Sequence, residues 1–158
     1  VSLITAQRWP EAFLAFTIAG LSDALDGYLA KRFDLRTELG AYLDPLADKA
    51  LLMSVYVFLA LDGALPAPLA ILVVSRDVMI VGAVMVSWVL NKPVEIRPLL
   101  VSKLNTAAQI ALACAVLAAL AFGVPQAGWM GAAIWVVAAL TSASMAAYLA
   151  QWLRHMNA

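Results

Sequence analysis

Long apolar runs, broken by short polar stretches, set the pattern of this chain. After a polar break at Arg8, Pro10 and Glu11, residues 12–25 are apolar except for Thr17, Ser22 and Asp23, and the run continues to a basic pair at Lys31 and Arg32. This predicts a helix over 9–32. A charged loop follows at 33–39, and a second helix over 41–61 runs through LLMSVYVFLAL to the stop at Asp62 and Gly63. Pro45 suits the first turn of that helix, where its missing N–H removes no bond. Leu65-Pro66-Ala67-Pro68 reads as a tight turn before a third run over 67–90, which Ser75, Arg76 and Asp77 interrupt. NKPVEIRPLLVS, with two prolines, reads as a loop, and a fourth run covers 103–122. A turn at 123–128 with Pro125 precedes the last run, 129–153. At 1.5 Å per residue, about 20 residues cross a hydrocarbon core roughly 30 Å thick. Each run is therefore a candidate span, and residues 1–7 read as the remnant of one more at the N-terminus. The expectation is a single all-α integral membrane domain.

Composition strengthens that reading. The chain is 65% hydrophobic and 13% charged over 158 residues. Soluble domains are nearer half apolar and a quarter charged, so much of this surface must face lipid. Formal net charge is zero, which gives no reason to expect a nucleic-acid partner. Cys114 is the sole cysteine, excluding an intrachain disulfide or a cysteine-based zinc site. It reads as a small residue within a helix, and His155 as a solvated terminal residue. Trp88, Trp129 and Trp152 fall near span ends, as interfacial aromatics do. Lys31, Arg32 and Arg36 lie in one loop region, Lys92, Arg97 and Lys103 in another, and Arg154 at the C-terminus, while the turns at 62–66 and 123–128 carry no basic residue. Basic loops face the cytoplasm, so that side is assigned to them, with Arg8 as the exception on the outer side.

The stretch from Asp23 to Lys49 is anomalous in so apolar a chain. It carries Asp23 and Asp26 at i, i+3 and Asp44 and Asp48 at i, i+4. Either spacing puts two carboxylates on one helix face. A lone aspartate at a helix end reads most simply as a solvated cap, but four on consecutive helices at one membrane side would repel one another. Ionisable groups are costly in a bilayer, roughly 2.5–3.5 kcal/mol each at its centre on insertion scales. Cations relieve both penalties. An all-oxygen donor set favours Mg²⁺, Mn²⁺ or Ca²⁺, and two divalent ions would balance four carboxylates. A two-metal site suits displacement at phosphorus, which points to a diphosphate substrate reached from the cytoplasm. Gly27, Ala30 and Gly40 either let a planar ligand approach the backbone or let helices pack closely; spacing alone does not separate these.

Asp23-x2-Asp26-Gly27-x2-Ala30-Lys31-x8-Gly40-x3-Asp44-x3-Asp48 resembles the defining motif of the CDP-alcohol phosphatidyltransferases, departing from it only at Lys31, where the family usually has arginine. The resemblance implies a bundle of six transmembrane helices, the first largely missing here, and extends over essentially the whole chain. It implies that Asp23, Asp26, Asp44 and Asp48 hold two divalent ions, Mg²⁺ or Mn²⁺. It also implies that Asp48 is the general base that deprotonates an acceptor hydroxyl, which attacks the β-phosphorus of CDP-diacylglycerol and releases CMP. Asp23, Gly27, Ala30 and Gly40 would border the cytidine and Lys31 would approach the diphosphate, although lysine lacks the flat bidentate fork of arginine. A homodimer in a bacterial inner membrane, its active site facing the cytoplasm, is also implied.

Arg76 and Lys103 are candidates for an acceptor phosphate; the plainer alternative for Arg76 and Asp77 is a local salt bridge or a polar contact between helices. Arg97 reads equally as a cavity residue or an ordinary cytoplasmic charge. SRDVMI and KPVEIRPLLVSKLNTAAQ resemble the CMP-forming cardiolipin synthases of the family more than its phosphatidylglycerophosphate synthases. The expected acceptor is therefore phosphatidylglycerol or glycerol 3-phosphate, with inositol phosphate left open. A different class of function, an intramembrane divalent-cation carrier, would need acids along the membrane depth, whereas here they gather at one side. A prenyltransferase would need more spans and a second, separate aspartate motif.

Overall fold

The computed structural model of the chain describes residues 8–33, 38–89, 100–126 and 128–156, and for 21, 23–33, 38–48, 84 and 88 the backbone alone. Five helices make up the described residues: α1 (Trp9–Phe33), α2 (Glu38–Leu61), α3 (Ala67–Val89), α4 (Leu100–Phe122) and α5 (Met130–Met156). These are the five expected runs, with shifted ends. The helix expected from residue 41 starts at Glu38, where an acidic residue suits the positive end of the helix dipole. The one expected from 103 starts at Leu100. The last helix runs past 153 to Met156, with Arg154 and His155 in its final turn, where positive charge suits the carbonyl end. The expected remnant at 1–7 lies outside the described residues, as do Lys92 and Arg97.

Two turns have a common cause. Gly63 (φ 81°) and Gly123 (φ 66°) take the left-handed conformation that ends a helix. Ala64 N–H then donates to Leu59 O at 2.9 Å, and Val124 N–H to Ala119 O at 2.8 Å, so carbonyls of the last turn are satisfied.

Helix α4 is the hub. It packs on α1, on α5 and, over a smaller area, on α2, while α3 joins α2 and α5. Phe13 of α1 meets Phe122 of α4 edge to face, centroids 5.9 Å apart. The apolar core combines Val55, Tyr56 and Leu59 of α2, Leu69 and Val73 of α3, and Leu112, Ala113, Val116 and Leu117 of α4. Tyr56 Oη donates to the Gln109 carbonyl at 3.0 Å, joining α2 to α4.

Among the described residues, much of the outside is apolar. Ile71, Val78, Met85, Trp135 and Val136 are exposed, whereas Arg76, Asp77, Asn105, Gln109, Thr141 and Ser144 are buried. This reverses the pattern of a water-soluble domain and is what lipid solvent requires. Among the described residues, three helical segments are long and apolar enough to cross a membrane: Ala67–Ser87, Leu100–Phe122 and Met130–Met156. Lys49–Leu61, the part of α2 whose side chains are described, is a shorter apolar stretch.

Candidate functional site

The motif occupies regular helix. Asp23, Asp26, Gly27, Ala30 and Lys31 fall in the C-terminal part of α1, and Gly40, Asp44 and Asp48 in the N-terminal part of α2. Helical backbone through both segments puts each aspartate pair at positions one turn apart on one face. Asp23 lies ten residues before the end of α1 and Asp48 ten residues after the start of α2, so each is roughly 15 Å along its helix from the connecting segment. The side chains at all eight motif positions lie outside the described residues.

Next to the motif, the described residues contain a buried charged junction. Arg76 of α3 is 2% exposed and Asp77 is 3% exposed. Arg76 Nη1 donates to Asp77 Oδ1, and Nη2 donates to Ser102 Oγ of α4. Nη2 and Nε donate to Ser144 Oγ of α5 at 3.0 and 3.3 Å. The guanidinium carbon lies 5.6 Å from the ring centroid of Tyr148, within cation–π range. From α2, Lys49 Nζ lies 3.9 Å from the same Asp77 oxygen. Four helices thus converge on one carboxylate and one guanidinium. Buried charges persist only when paired and hydrogen-bonded, and here both conditions are met. Arg76 makes the interhelical polar contact that was the alternative reading of it. Lys103 is exposed, one residue beyond Ser102.

One turn further along α4, a neutral polar set extends the interior. Thr141 Oγ1 donates to Asn105 Oδ1 at 2.8 Å and accepts from Gln109 Nε2 at 3.2 Å. Asn105 Nδ2 is buried with no hydrogen-bond partner among the described residues. Near the end of α5, Trp152 Nε1 donates to Ser87 Oγ of α3 at 2.9 Å.

Sequence reasoning did not single out Ser102, Ser144, Tyr148 or the contact made by Lys49. A signal was present: Ser102, Asn105 and Gln109 on α4, and Thr141, Ser144 and Tyr148 on α5, recur at three- and four-residue spacing within apolar runs. Such stripes mark the inward face of a membrane helix.

The family model for CDP-alcohol phosphatidyltransferases matches residues 1–148. The chain belongs to that family. Among its relatives, the Homo sapiens protein named cardiolipin synthase (CMP-forming) is 34% identical over 160 residues, covering 91% of this chain and 53% of that protein. The Oryza sativa subsp. japonica protein named CDP-diacylglycerol–glycerol-3-phosphate 3-phosphatidyltransferase 1, chloroplastic, is 32% identical over 164 residues, covering 92% of this chain and 50% of that protein. A Bacillus subtilis protein named CDP-diacylglycerol–glycerol-3-phosphate 3-phosphatidyltransferase is 34% identical over 140 residues, covering 85% of this chain and 72% of that protein. The chain spans about half the length of the human and rice relatives.

For this family member, the motif's donor set is four carboxylates with no histidine or cysteine among them. Such a set fits a hard divalent cation and not a soft one. Among the described residues no other group of three or more acidic, histidine or cysteine side chains could hold a metal ion.

Proposed function

We propose that this chain transfers a phosphatidyl group from CDP-diacylglycerol to an alcohol acceptor and releases CMP. The observation that carries the reading is the family match across the chain together with the eight-position motif on consecutive helical segments. The family generally uses divalent metal ions. Asp23, Asp26, Asp44 and Asp48 would hold two of them, Mg²⁺ or Mn²⁺, whose charge would offset that of the diphosphate. Asp48 would accept the proton of the acceptor hydroxyl. The hydroxyl oxygen then bonds to the β-phosphorus, and the bond from that phosphorus to the bridging oxygen breaks, leaving its electron pair on CMP. Gly27, Ala30 and Gly40, with Asp23, would border the cytidine, and Lys31 would offset charge on the diphosphate.

Lys103, exposed at the start of α4, is the cation we assign to an acceptor phosphate. Arg76, bonded to Ser102 and almost fully buried, would meet that phosphate directly only by exchanging its bond to that serine. The acceptor we favour is phosphatidylglycerol, giving cardiolipin, because the SRDVMI segment and the segment ending in SKLNTAAQ resemble the cardiolipin synthases. The human relative's name supports it, and the rice and Bacillus names support glycerol 3-phosphate. We assign the chain to a bacterial inner membrane as a homodimer, the motif toward the cytoplasm, on the distribution of its basic residues and the family resemblance.

Radiolabelled CDP-diacylglycerol offered with phosphatidylglycerol and, separately, with glycerol 3-phosphate tests both parts of the reading. Thin-layer analysis should show cardiolipin with the first acceptor. Phosphatidylglycerophosphate from the second acceptor alone would reassign the acceptor. No CMP with either, alongside Mn²⁺ uptake into proteoliposomes, would move the chain to the cation-carrier class.

A further inference from the structure

We propose that Lys49 is a positioning residue, and that its ion pair with Asp77 sets the rotation and depth of the helical turn carrying Asp44 and Asp48. The proposal rests on the motif aspartates holding divalent cations.

The two halves of the motif rest on different neighbours. Helix α1, with Asp23 and Asp26, packs on α4, while α2, with Asp44 and Asp48, packs chiefly on α3. A joint site therefore needs α3 and α4 held in fixed register. The Arg76–Asp77 pair supplies that tie: the guanidinium reaches Ser102 on α4 and Ser144 on α5, and the carboxylate faces Lys49 on α2 at 3.9 Å. Lys49 directly follows Asp48. A helix is stiff over one turn, so holding position 49 fixes where positions 48 and 44 lie around and along the axis. The burial pattern agrees. Asp77 is almost fully buried and already bonded to Arg76, whereas the Lys49 side chain is 37% exposed. The carboxylate does not need the lysine for its own neutralisation, which leaves the lysine's effect on α2 as the consequence of the contact.

Electrostatics gives this idea a sign that separates it from its rivals. A lysine beside a cation site repels the cation, so removing its charge should tighten binding if charge alone matters. If Lys49 acts by positioning, removing it should weaken binding.

The test is Mn²⁺ affinity, read by electron paramagnetic resonance on the detergent-solubilised protein without substrate, for wild type, Lys49→Met and Lys49→Arg. Lys49→Met keeps the Arg76–Asp77 pair, so the unfolding temperature should be unchanged. The expected result is Mn²⁺ binding weakened about tenfold in Lys49→Met, the lower end of what loss of a supporting contact does to a metal site, and restored in Lys49→Arg. Affinity unchanged or tightened in Lys49→Met would overturn the proposal. So would weakening that appears only with a lowered unfolding temperature or that arginine does not rescue, and so would a wild type that binds no Mn²⁺. A wild type that binds Mn²⁺ yet releases no CMP would instead remove the transferase reading, and the comparison of variants would still decide the role of Lys49.

Discussion

Replacing Arg76 by methionine should cost more than its hydrogen bonds contribute, and replacing Asp77 as well should recover most of the loss. Arg76 donates to two serines on neighbouring helices. Interhelical hydrogen bonds in a bilayer average about 0.6 kcal/mol each, so the two serines account for about 1 kcal/mol. The larger effect falls on Asp77. Breaking a buried pair by removing one partner costs about 3–5 kcal/mol, because the survivor is left as an uncompensated charge. Asp77 would retain only Lys49, at 3.9 Å and partly solvated, which puts Arg76→Met near the lower end, about 3 kcal/mol. Asp77→Leu leaves a guanidinium that is 2% exposed with no carboxylate bonded to it, and should cost about 4 kcal/mol. The double variant buries two apolar side chains and loses mainly the serine contacts, about 1–2 kcal/mol. The singles then sum to about 7 kcal/mol, and the coupling energy is about 5 kcal/mol. Unfolding in mixed detergent and dodecyl sulfate micelles, followed by helicity, measures all four proteins. A coupling below about 1 kcal/mol, with the double variant as unstable as the two singles combined, would refute the view that these two charges are retained for each other.

Asp48→Asn should abolish CMP release while leaving Mn²⁺ binding largely intact, since the amide can still ligate through oxygen but cannot accept the acceptor's proton; an active variant would remove Asp48 as the base. Chelation with EDTA should abolish CMP release, and added Mg²⁺ or Mn²⁺ should restore it; activity surviving exhaustive chelation would contradict the metal reading. Gly63→Ala should lower stability by about 1 kcal/mol through left-handed strain alone, because nothing lies within 4 Å of an added Cβ there. Leu117→Ala, at a position with no exposed surface, should cost about 2 kcal/mol. That is the low end for a core truncation, because lipid removes the hydrophobic transfer component and leaves the cavity.

The amino-acid sequence alone determined the five helices, their order and the membrane as their solvent. Apolar runs of sufficient length are local properties, and a bilayer leaves helices as the simplest way to satisfy their backbone groups. It also carried the chemistry of the motif, because aspartate spacing on a helix follows from 3.6 residues per turn, and it placed the turns at Gly63 and Gly123. Helix ends moved by about three residues, since propensity changes gradually there while the dipole favours extension to Glu38 at one end and past Arg154 and His155 to Met156 at the other.

Only the tertiary structure decided what the interior polar residues do. In the sequence Arg76 read first as a phosphate ligand, with a local salt bridge or a contact between helices as the alternative, and Lys49 was one more charge beside a motif. Ser102 lies 26 residues and Ser144 68 residues from Arg76 along the chain, and nothing local fixes which of them a guanidinium meets. That choice belongs to helix packing, to α4 standing between α1 and α5 and to α3 joining α2 and α5. Asp77 is the adjacent residue in the chain; a buried charge must find its other partners wherever packing delivers them, and that requirement selected the two serines and Tyr148.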